Sequence, residues 1–403
     1  MATNKNITMR QFNGTDYDTL YPKTKVEQVE GAYTQQQILA DSTKTMFGLG
    51  TDAVPDDAFK ALSAAVVEDG KGLLLISAMD ASGNHFGFVS VSVDGAIKTL
   101  NEFGFYAVSV DAGSYTISIE NELFYSFDTK SKTVDVVAGK ITPVVFFGTV
   151  KSSGVAKILS SADIMIPTSI TSVDLFAVGG GGGGGTANSF SSSSTNFFNA
   201  AGGGAGGHTA SVFNKNLSGE KLKCLIGAGG AATSNGYGNK GGTTSVSVGD
   251  EVVCEAEGGE GGRNQDPGSG GSGGGRFDST GPSPTDVAGG NGGSNGSDGD
   301  LAYGTYGRGQ GTTTRAFGEP TGELYAGGGG GAGLYVKTSS SYNAKGGNGG
   351  AGGGGNGNAK KTGNVIANSG TNNTGSGGGA AVTTSEYSVQ SGAGGSGIIL
   401  IRW

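Results

Sequence analysis

The spacing of glycine constrains this chain more than any other feature of its sequence. Of its 83 glycines, 69 follow Val178, and many occur in pairs that separate single residues with side chains, as in EGGEGGR at 257–263. A left-handed extended helix of the polyproline II type has about three residues per turn, so an X-Gly-Gly pattern puts all side chains on one edge. The other two edges are bare backbone, and neighbouring segments can pair N–H with C=O across them.

A disordered glycine-serine linker is the alternative that composition alone favours. Five apolar, strand-like runs interrupt the glycine tracts and argue against it: 173–178, 222–226, 244–248, 251–256 and 398–403. Proline is nearly absent from the tracts, which argues against a collagen triple helix. We therefore expect packed glycine helices in a cooperative array, because ordering one isolated glycine helix costs too much conformational entropy.

The order of motifs in this half of the chain is specific. ITSVDLFAV at 170–178 runs into unbroken glycine at 179–185, and LIGAGG at 225–230, GGTTS at 241–245 and GGSGIILIRW at 394–403 follow. This succession resembles the glycine-rich domain of bacteriophage tail fibre and receptor-binding proteins, over residues 155–403. The resemblance implies layered polyglycine helices and binding of a host receptor. Similar layers are found in the ligand-binding region of anaplastic lymphoma kinase-type receptors, so the fold does not fix the ligand.

Three segments precede this region. Residues 1–32 contain NGTDYDTLYPKT at 13–24, which resembles the start of tail and baseplate-associated proteins of phages with Gram-positive hosts. That resemblance implies an attachment segment that docks onto other tail or baseplate proteins, and an ordinary exposed arm is the alternative. Residues 33–70 are expected to form a helical connector, with a helix from Pro55 to about Val67 because proline and acids suit a helix start.

Residues 71–150 alternate as the strands of an all-β sandwich do. The predicted strands are 73–78, 86–93, 105–110, 114–120, 133–137 and 141–147. AGSYTISI at 112–119 and VDVVAGK at 134–140 resemble immunoglobulin-like modules of the PEGA and carboxypeptidase-regulatory type, which implies a spacer. The expected fold is therefore mainly β: an attachment segment and short helix, an immunoglobulin-like β-sandwich, and C-terminal polyglycine helices layered with β-strands.

Composition narrows the partners. The net charge of −8 argues against nucleic acid as a partner, because binding nucleic acid needs a basic surface. The sequence contains no apolar run of 18 residues, so we expect no insertion into a membrane. Cys224 and Cys254 lie in two candidate strands; reduced thiols are favoured, and a disulfide between them stays open. These cysteines with His85 and His208 make a poor zinc set, so we expect no metal and no cofactor.

Enzymatic motifs in this chain arise from composition. GGSGG at 270–274 satisfies the nucleophile pattern G-x-S-x-G, but it neither follows a strand nor opens a helix. Glycoside cleavage needs two carboxylates at a defined separation, and Glu257 and Glu260 are better explained as a solvated edge of one helix. We therefore expect that the protein is not an enzyme.

Binding is the more plausible chemistry, because loops on rigid scaffolds usually carry function. The segments that join the tracts, 186–201, 263–287, 300–325 and 334–345, mix aromatic and basic residues with Ser, Gly and Asn, as paratopes do. The candidate receptor-binding residues are Phe197, Phe198, Phe277, Tyr303, Tyr306, Arg308, Arg315, Tyr335 and Tyr342. For each aromatic residue the alternative is that it caps the end of the glycine array.

The resemblance and these segments together predict a phage tail-tip adhesin in the virion, assembled in the host cytoplasm. Its expected partner is a host surface receptor, which is a glycan, a teichoic acid or a protein. An acidic chain suits teichoic acid only if Arg308 and Arg315 form a local basic patch. Tail fibres are generally oligomers, so a trimer is one option, although the chain has no heptad repeat. The alternatives are a tail-associated polysaccharide-degrading enzyme and a structural virion decoration protein.

Overall fold

The computed structural model describes residues 10–12, 17–19, 70–120, 122–193, 197–263, 266–278, 288–300, 307–338 and 341–403. This described part is mainly β, without an α-helix and with one 3-10 turn at Ala316–Gly318. None of its helical turns has the length and apolar character that crossing a membrane needs. The helix expected near 55–67 lies outside the described residues, as does the rest of the connector up to residue 69.

The chain divides into two compact units. The first comprises Met1–Asn121 and Phe127–Thr149, and the second comprises Glu122–Ser126 and Val150–Trp403. The strands up to Val150 are β1 (Arg10–Phe12), β2 (Tyr17–Thr19), β3 (Lys71–Met79), β4 (Ser90–Val93), β5 (Ala96–Thr99), β6 (Phe105–Asp111), β7 (Gly113–Ile119), β8 (Tyr125–Phe127), β9 (Ser131–Val136) and β10 (Ile141–Val150). The strands β1 and β2 pair antiparallel, on either side of the expected turn at Asn13 and Gly14, which the structure does not describe.

The first unit is built around two sheets. One has the order β5-β4-β7-β9 and is antiparallel throughout; in the other, β3 lies between β6, which is antiparallel to it, and β10, which is parallel. Leu74 and Ile76 of β3 and Val91 and Ile117 of the other sheet are fully buried. Complete burial of such side chains contributes roughly 1.5–3 kcal/mol each.

One strand prediction for this unit is wrong, and two strands were not predicted. The run 86–93 becomes a strand only at Ser90, because Phe88 has a φ of 55°, which breaks extended geometry. The strand β5 was missed since all four of its side chains are exposed, so no apolar alternation marks it. The turn that joins β4 to β5 does carry a sequence signal, the pair Asp94 and Gly95. Both residues have the positive φ that such a hairpin turn requires. The short strand β8 was missed as well.

The second unit contains the strands β11 (Val155–Ile158), β12 (Ala162–Met165), β13 (Val173–Val178), β14 (Thr186–Ala187), β15 (Phe197–Ala201), β16 (Thr209–Lys215), β17 (Lys221–Leu225), β18 (Thr244–Val248), β19 (Glu251–Ala256), β20 (Phe277–Asp278), β21 (Ala288–Gly289), β22 (Ala332–Thr338), β23 (Ser341–Gly346), β24 (Asn358–Ala359), β25 (Val365–Ile366), β26 (Ala381–Val382), β27 (Val389–Gln390) and β28 (Ile398–Arg402). All five strand-like runs expected here form strands. The long ones build two sheets, β11-β28-β13-β16 and β12-β17-β18-β19.

The interior of this unit is made of backbone. Four glycine tracts are completely buried: tract 1 (residues 179–185), tract 2 (202–207), tract 3 (327–331) and tract 4 (375–379). Successive N–H groups of tract 1 donate to three neighbouring segments in turn, over 2.8–3.0 Å: residues 179, 182 and 185 to segment 202–208, residues 180 and 183 to segment 239–242, and residues 181 and 184 to segment 392–395. The hydrogen bonds between tracts agree with the expectation that bare backbone edges pair.

Three further segments surround tract 1 and donate to its carbonyl groups. They contribute the N–H groups of Gly230, of Gly259 and Gly262, and of Gly378. A Cβ on any glycine of tract 1 would overlap a backbone carbonyl of these same segments; on Gly182, for example, it would collide with the Glu260 oxygen. Each residue of tract 1 must therefore be glycine, because carbonyl groups fill the positions that side chains would take.

Apolar side chains cover both ends of the tracts. We call one the sheet end; its cluster comprises Phe176, Val178, Ala316, Phe317, Tyr325, Ala326, Ile398 and Leu400. We call the other the loop end; its cluster comprises Ala187, Ala201, Ala332, Leu334, Val336, Ala380 and Val382. Tract 1 starts after Val178 and ends before Ala187, so it runs from the sheet end to the loop end. Tract 3 runs the same way, and tract 2 runs back.

Candidate binding surface at the loop end

Most of the predicted connecting segments leave the glycine tracts at the loop end. Residues 188–200 join tract 1 to tract 2 there, and β22 and β23 form a hairpin that continues tract 3. The segment between Gly275 and Gly290 also starts and finishes there, because Gly275 donates to tract 3 at Gly329 and Gly290 accepts from Gly331. The topology therefore gathers the aromatic connections at one end, which the sequence alone could not establish.

A three-stranded sheet with the order β15-β22-β23 forms part of this end. Phe198 of β15 lies directly opposite Tyr335 of β22, which lies opposite Asn343 of β23. Side chains alternate along strands, so these three share the outward face, while Leu334 and Val336 point into the loop-end cluster and are fully buried. Phe198 and Tyr335 are partly buried against Ala200. The two candidate residues thus form one cross-strand aromatic pair.

Lysine residues flank this pair. Lys337 and Lys345 are exposed; alternation places Lys345 on the outward face with Tyr335, and Lys337 follows Tyr335 by two residues, at a register irregularity between Val336 and Thr338. Neither lysine forms an ion pair within the described residues. Between Glu323 and Glu386 the sequence contains four lysines and no acidic residue, although the whole chain has a net charge of −8. We call the surface formed by Phe198, Tyr335, Lys337, Asn343 and Lys345 the basic aromatic face.

Tyr342 lies in the same hairpin, directly opposite Val336, so alternation places it on the other side of the sheet from Tyr335. Its side chain is 54% exposed, and the Nζ atom of the buried Lys361 lies 5.4 Å from the centroid of its ring. A cation at this distance from an aromatic face is attracted by roughly 0.5–2 kcal/mol. The ring of Tyr342 is therefore held over a positive charge while it remains accessible.

Sequence reasoning missed one exposed aromatic residue of the loop end, Tyr237. It is 63% exposed, and the guanidinium of Arg263 lies 5.8 Å from its ring centroid. Thr186 donates to the Gly236 carbonyl, which fixes this residue at the same end as the aromatic connections. Tyr237 lies in the sequence GYGNKGG, where it resembles the single side-chain residues of the glycine tracts. The only feature of the sequence that could have marked it as a candidate was its aromatic side chain.

Glu386 ties two connections of the loop end together. Its carboxylate accepts hydrogen bonds from the Ser191 hydroxyl at 2.6 Å, the Ser192 N–H at 2.9 Å and the Ser192 hydroxyl. These bonds, that of the Ser191 hydroxyl first, lower the pKa of Glu386 below its ordinary value. The Asn199 amide also donates to the Thr383 carbonyl, at 2.9 Å. The connections 188–200 and 383–388 are therefore cross-linked by hydrogen bonds.

The other predicted residues are distributed as follows. Phe197 pairs with Val336 and Phe277 with Gly289 through the backbone, while Tyr303 and Tyr306 lie outside the described residues. Arg308 is exposed on the flank of the tracts, where its carbonyl accepts from Gly270. Arg315 lies at the sheet end, beside the 3-10 turn of that cluster, and its Nη1 donates to the Gly322 carbonyl at 2.7 Å. It therefore does not join the loop-end surface.

The part of segment 300–325 that lies at the sheet end caps the glycine array, which was the alternative to receptor binding for its aromatic residues. Phe317 is buried in the sheet-end cluster, and the Arg402 guanidinium lies 4.2 Å from its ring centroid. The serine of the GGSGG motif is also enclosed, because Ser272 is fully buried and its hydroxyl accepts from the Gly296 N–H at 3.1 Å. Within the described ranges, no three His, Cys, Asp or Glu side chains come together as metal ligands.

Comparisons with solved structures find distant likeness to three proteins, among others. A Streptococcal ancillary pilin is 12% identical and has a TM-score of 0.20; the match covers 28% of this chain and 41% of the pilin chain. A DUF3823 family protein from Parabacteroides merdae matches with 12% identity and a TM-score of 0.18, over 28% of this chain and 66% of its own. A second DUF3823 family protein, from Bacteroides ovatus, also has 12% identity and a TM-score of 0.18; the match covers 47% of this chain and 96% of that protein's chain.

No curated protein matches the chain. The model of the glycine-rich domain family matches residues 159–403, which is more than half of the sequence. The matched region contains all four tracts, the clusters at both ends and the basic aromatic face. The chain therefore belongs to the glycine-rich domain family.

Proposed function

We propose that the protein is a bacteriophage tail-tip adhesin that attaches the virion to its host through the loop end of the glycine-rich domain. The observation that carries the proposal is the convergence of aromatic connections at one end of a scaffold of glycine-rich tracts. The chain enters this unit at the opposite end, where β11 pairs with β28. A scaffold fixed at one end and equipped with exposed aromatic residues at the other suits presentation to a distant surface.

The four tracts act in this proposal as left-handed, threefold polyglycine helices. The three-residue repeat of hydrogen-bond partners along tract 1 supports a threefold helix, and no glycine of that tract has the positive φ of a turn. Such helices have no internal hydrogen bonds, so the stiffness of tract 1 comes from its six neighbouring segments. A stiff array holds the connections at its end in fixed relative positions, which reduces the entropy lost on binding.

The remaining segments receive supporting roles. The first unit is an immunoglobulin-like spacer, a role supported by its two sheets with buried residues from each. Residues 1–32 dock onto other tail or baseplate proteins, and assembly of the chain as a homo-oligomer such as a trimer belongs to the same proposal. Phe190, Tyr237 and Tyr342, which are 40–63% exposed, are the exposed aromatic residues among the described part of the loop end.

Binding of the fluorescently labelled full chain to a panel of Gram-positive and Gram-negative strains tests the proposal. The variant Tyr237→Ala/Tyr342→Ala removes two exposed rings from the loop end. Phe213→Ala/Leu225→Ala is the matched control, because these side chains are 48% and 43% exposed on strands of the sheet end. We expect the loop-end variant to bind a susceptible strain at least about tenfold more weakly, and the control to bind within about twofold of the native chain.

Release of soluble sugar from the same cells is measured in parallel. Binding without release supports an adhesin, whereas release would favour the polysaccharide-degrading alternative. Binding to no strain, together with antibody labelling that is spread over the virion rather than confined to the tail tip, would favour a decoration protein. Equal loss of binding in the control variant would remove the loop end from the proposal.

A further inference from the structure

We infer that the basic aromatic face binds an acidic polysaccharide, with sugar rings stacked on the pair Phe198 and Tyr335 and carboxylates paired with Lys337 and Lys345. The inference deepens the proposed function, on which it rests for the location of this glycan in the host envelope. It names the class of ligand and the residues that select it.

The aromatic pair supplies the flat part of the site. Phe198 and Tyr335 are directly opposite one another on adjacent strands, so their Cβ atoms are about 4.5–5.5 Å apart. The rings are half-buried against Ala200, which fixes their positions while their outward surfaces remain accessible. Rigid, amphipathic side chains of this kind offer a large contact area at low cost in conformational entropy.

The lysines supply the charge selectivity. Lys345 lies opposite Gly333, two residues before Tyr335 on β22, and Lys337 lies two residues after Tyr335. At a rise of about 3.3 Å per residue, the two positions are roughly 13 Å apart along the strand, with the aromatic pair between them. Both ammonium groups are exposed and without a carboxylate partner among the described residues, so an anionic ligand would gain new charge-assisted hydrogen bonds without breaking old ones.

The local charge distinguishes this face from the rest of the chain. The 62 residues from 324 to 385, which include β22 and β23, contain four lysines and no acid, in a protein whose net charge is −8. The basic patch that the sequence suggested at Arg308 and Arg315 is replaced by lysines, because Arg315 lies at the sheet end. An extended nucleic acid is a poorer fit, because two unpaired lysines neutralise too few phosphates for stable binding.

Titration of the full chain with defined polymers tests the inference. The probes are polygalacturonate oligomers, neutral dextran of similar length, inorganic polyphosphate and oligo(dT). We expect polygalacturonate to bind, with an affinity that falls as salt is raised, and dextran to bind at least about tenfold more weakly. Polyphosphate is expected to bind weakly because it has no ring to stack on the aromatic pair, and oligo(dT) because two lysines neutralise too few phosphates for stable binding.

Two variants separate charge from stacking. Lys337→Glu/Lys345→Glu should weaken polygalacturonate at least about tenfold, and Tyr335→Leu, which keeps an apolar side chain in the half-buried position, should weaken it about fivefold or more. Lys98→Glu/Lys223→Glu is the matched control, because it makes the same change in net charge at two exposed lysines elsewhere in the chain. It should leave affinity within about twofold. All variants are compared at equal thermal stability, so that loss of folding is not read as loss of the site.

The inference is overturned if polygalacturonate does not bind, if dextran binds equally well, or if the control variant loses as much affinity as Lys337→Glu/Lys345→Glu. It is also overturned if polyphosphate or oligo(dT) binds more tightly than polygalacturonate and Tyr335→Leu leaves that binding unchanged. The proposed function is tested separately, by the binding of labelled chain to cells. If labelled chain binds cells and polygalacturonate neither binds nor competes, the inference fails and the adhesin stands. If polygalacturonate binds through Lys337, Lys345 and Tyr335 while no cell is bound, the face is a glycan site and the adhesin fails.

Discussion

Cys224 and Cys254 lie on opposite sides of Val246 in one sheet, each in register with it. Neighbouring strands are about 4.8 Å apart, so two cysteines separated by a whole strand are roughly 10 Å apart. A disulfide needs Cα atoms within about 7 Å of each other. The two residues therefore cannot pair within this sheet, which decides the alternative that the sequence left open.

We expect both thiols to be free and unreactive in the native protein. Burial raises the pKa of Cys224 to about 12 and that of Cys254 to about 11, so the reactive thiolate is scarce at neutral pH. Titration with a thiol reagent should find no fast-reacting group before denaturation and two afterwards. Reducing agent should leave the melting temperature unchanged; a decrease would indicate a disulfide and contradict the register.

Gly182→Ala tests the claim that carbonyl groups occupy the side-chain positions of tract 1. The new Cβ would overlap the Glu260 oxygen, and the backbone on both sides is held by hydrogen bonds. We expect a loss of about 3 kcal/mol in the free energy of unfolding. Urea denaturation followed by fluorescence measures it, because the single tryptophan, Trp403, belongs to the second unit.

Gly113→Ala serves as the control for that substitution. A Cβ at this position would have the Tyr115 ring at 3.9 Å as its nearest neighbour, which is an ordinary contact, and the residue does not have a positive φ. Its effect should stay within about 1 kcal/mol, measured on the whole chain by calorimetry. Equal tolerance of both substitutions would mean that tract 1 is not packed as described.

Amide hydrogen exchange should distinguish the tracts from turns of the same composition. The N–H groups of residues 180–185 are buried and hydrogen-bonded, so they exchange only when the unit opens. Gly95, in an exposed turn, should exchange orders of magnitude faster. Equal rates for the two groups of glycines would show that the tracts are unstructured in solution.

The ion pair between Asp174 and Arg402 should make the second unit sensitive to acid. The Arg402 Nη2 and Nε atoms lie 2.7 and 3.0 Å from Asp174 Oδ2. Burial alone would raise the pKa of Asp174, but hydrogen bonds from the Asn214 N–H and from Arg402 lower it below the ordinary value of 3.8. This carboxylate therefore stabilises the fold above pH 3.8, and the contribution is lost as pH falls through its lower native pKa.

Asp174→Asn should lower the urea midpoint at neutral pH and flatten the loss of stability below pH 3.8. Asp163→Asn is the control, because Asp163 pairs with Lys221 at 3.2 Å on an exposed surface, where such pairs contribute less than about 1 kcal/mol. Identical pH profiles for native protein and Asp174→Asn would remove the ion pair as a source of acid sensitivity.

Much of the second unit could be predicted because its strands are apolar runs bounded by glycine. The expected strands 173–178, 244–248 and 251–256 have the bounds that the structure gives them. The three-residue spacing of side chains likewise indicated that tracts pair through bare backbone. Gly352 and Gly353 are an exception: they continue an X-Gly-Gly run but adopt φ values of 98° and 102° and reverse the chain.

The candidate surface was harder to predict, because no local signal says at which end of the tracts a connection lies. Segment 300–325 was expected to act as a single loop, yet its last part, with Arg315 and Phe317, covers the sheet end. Phe198 and Tyr335 are 137 residues apart in the sequence. Their strands meet because tracts 1, 2 and 3, from which these strands continue, are held next to one another. Such long-range pairing is invisible in a single sequence.

The carbonyl groups around tract 1 have a consequence for how a protein of this design can change. Substitutions inside the tracts collide with backbone, so the interior tolerates almost no variation, whereas an insertion in residues 188–200 or in the β22–β23 hairpin leaves every tract contact in place. The surface of the loop end can therefore diverge while the architecture of the tracts stays constant. Two proteins with the same glycine register and different hairpins would have the same interior and present unrelated surfaces at the loop end.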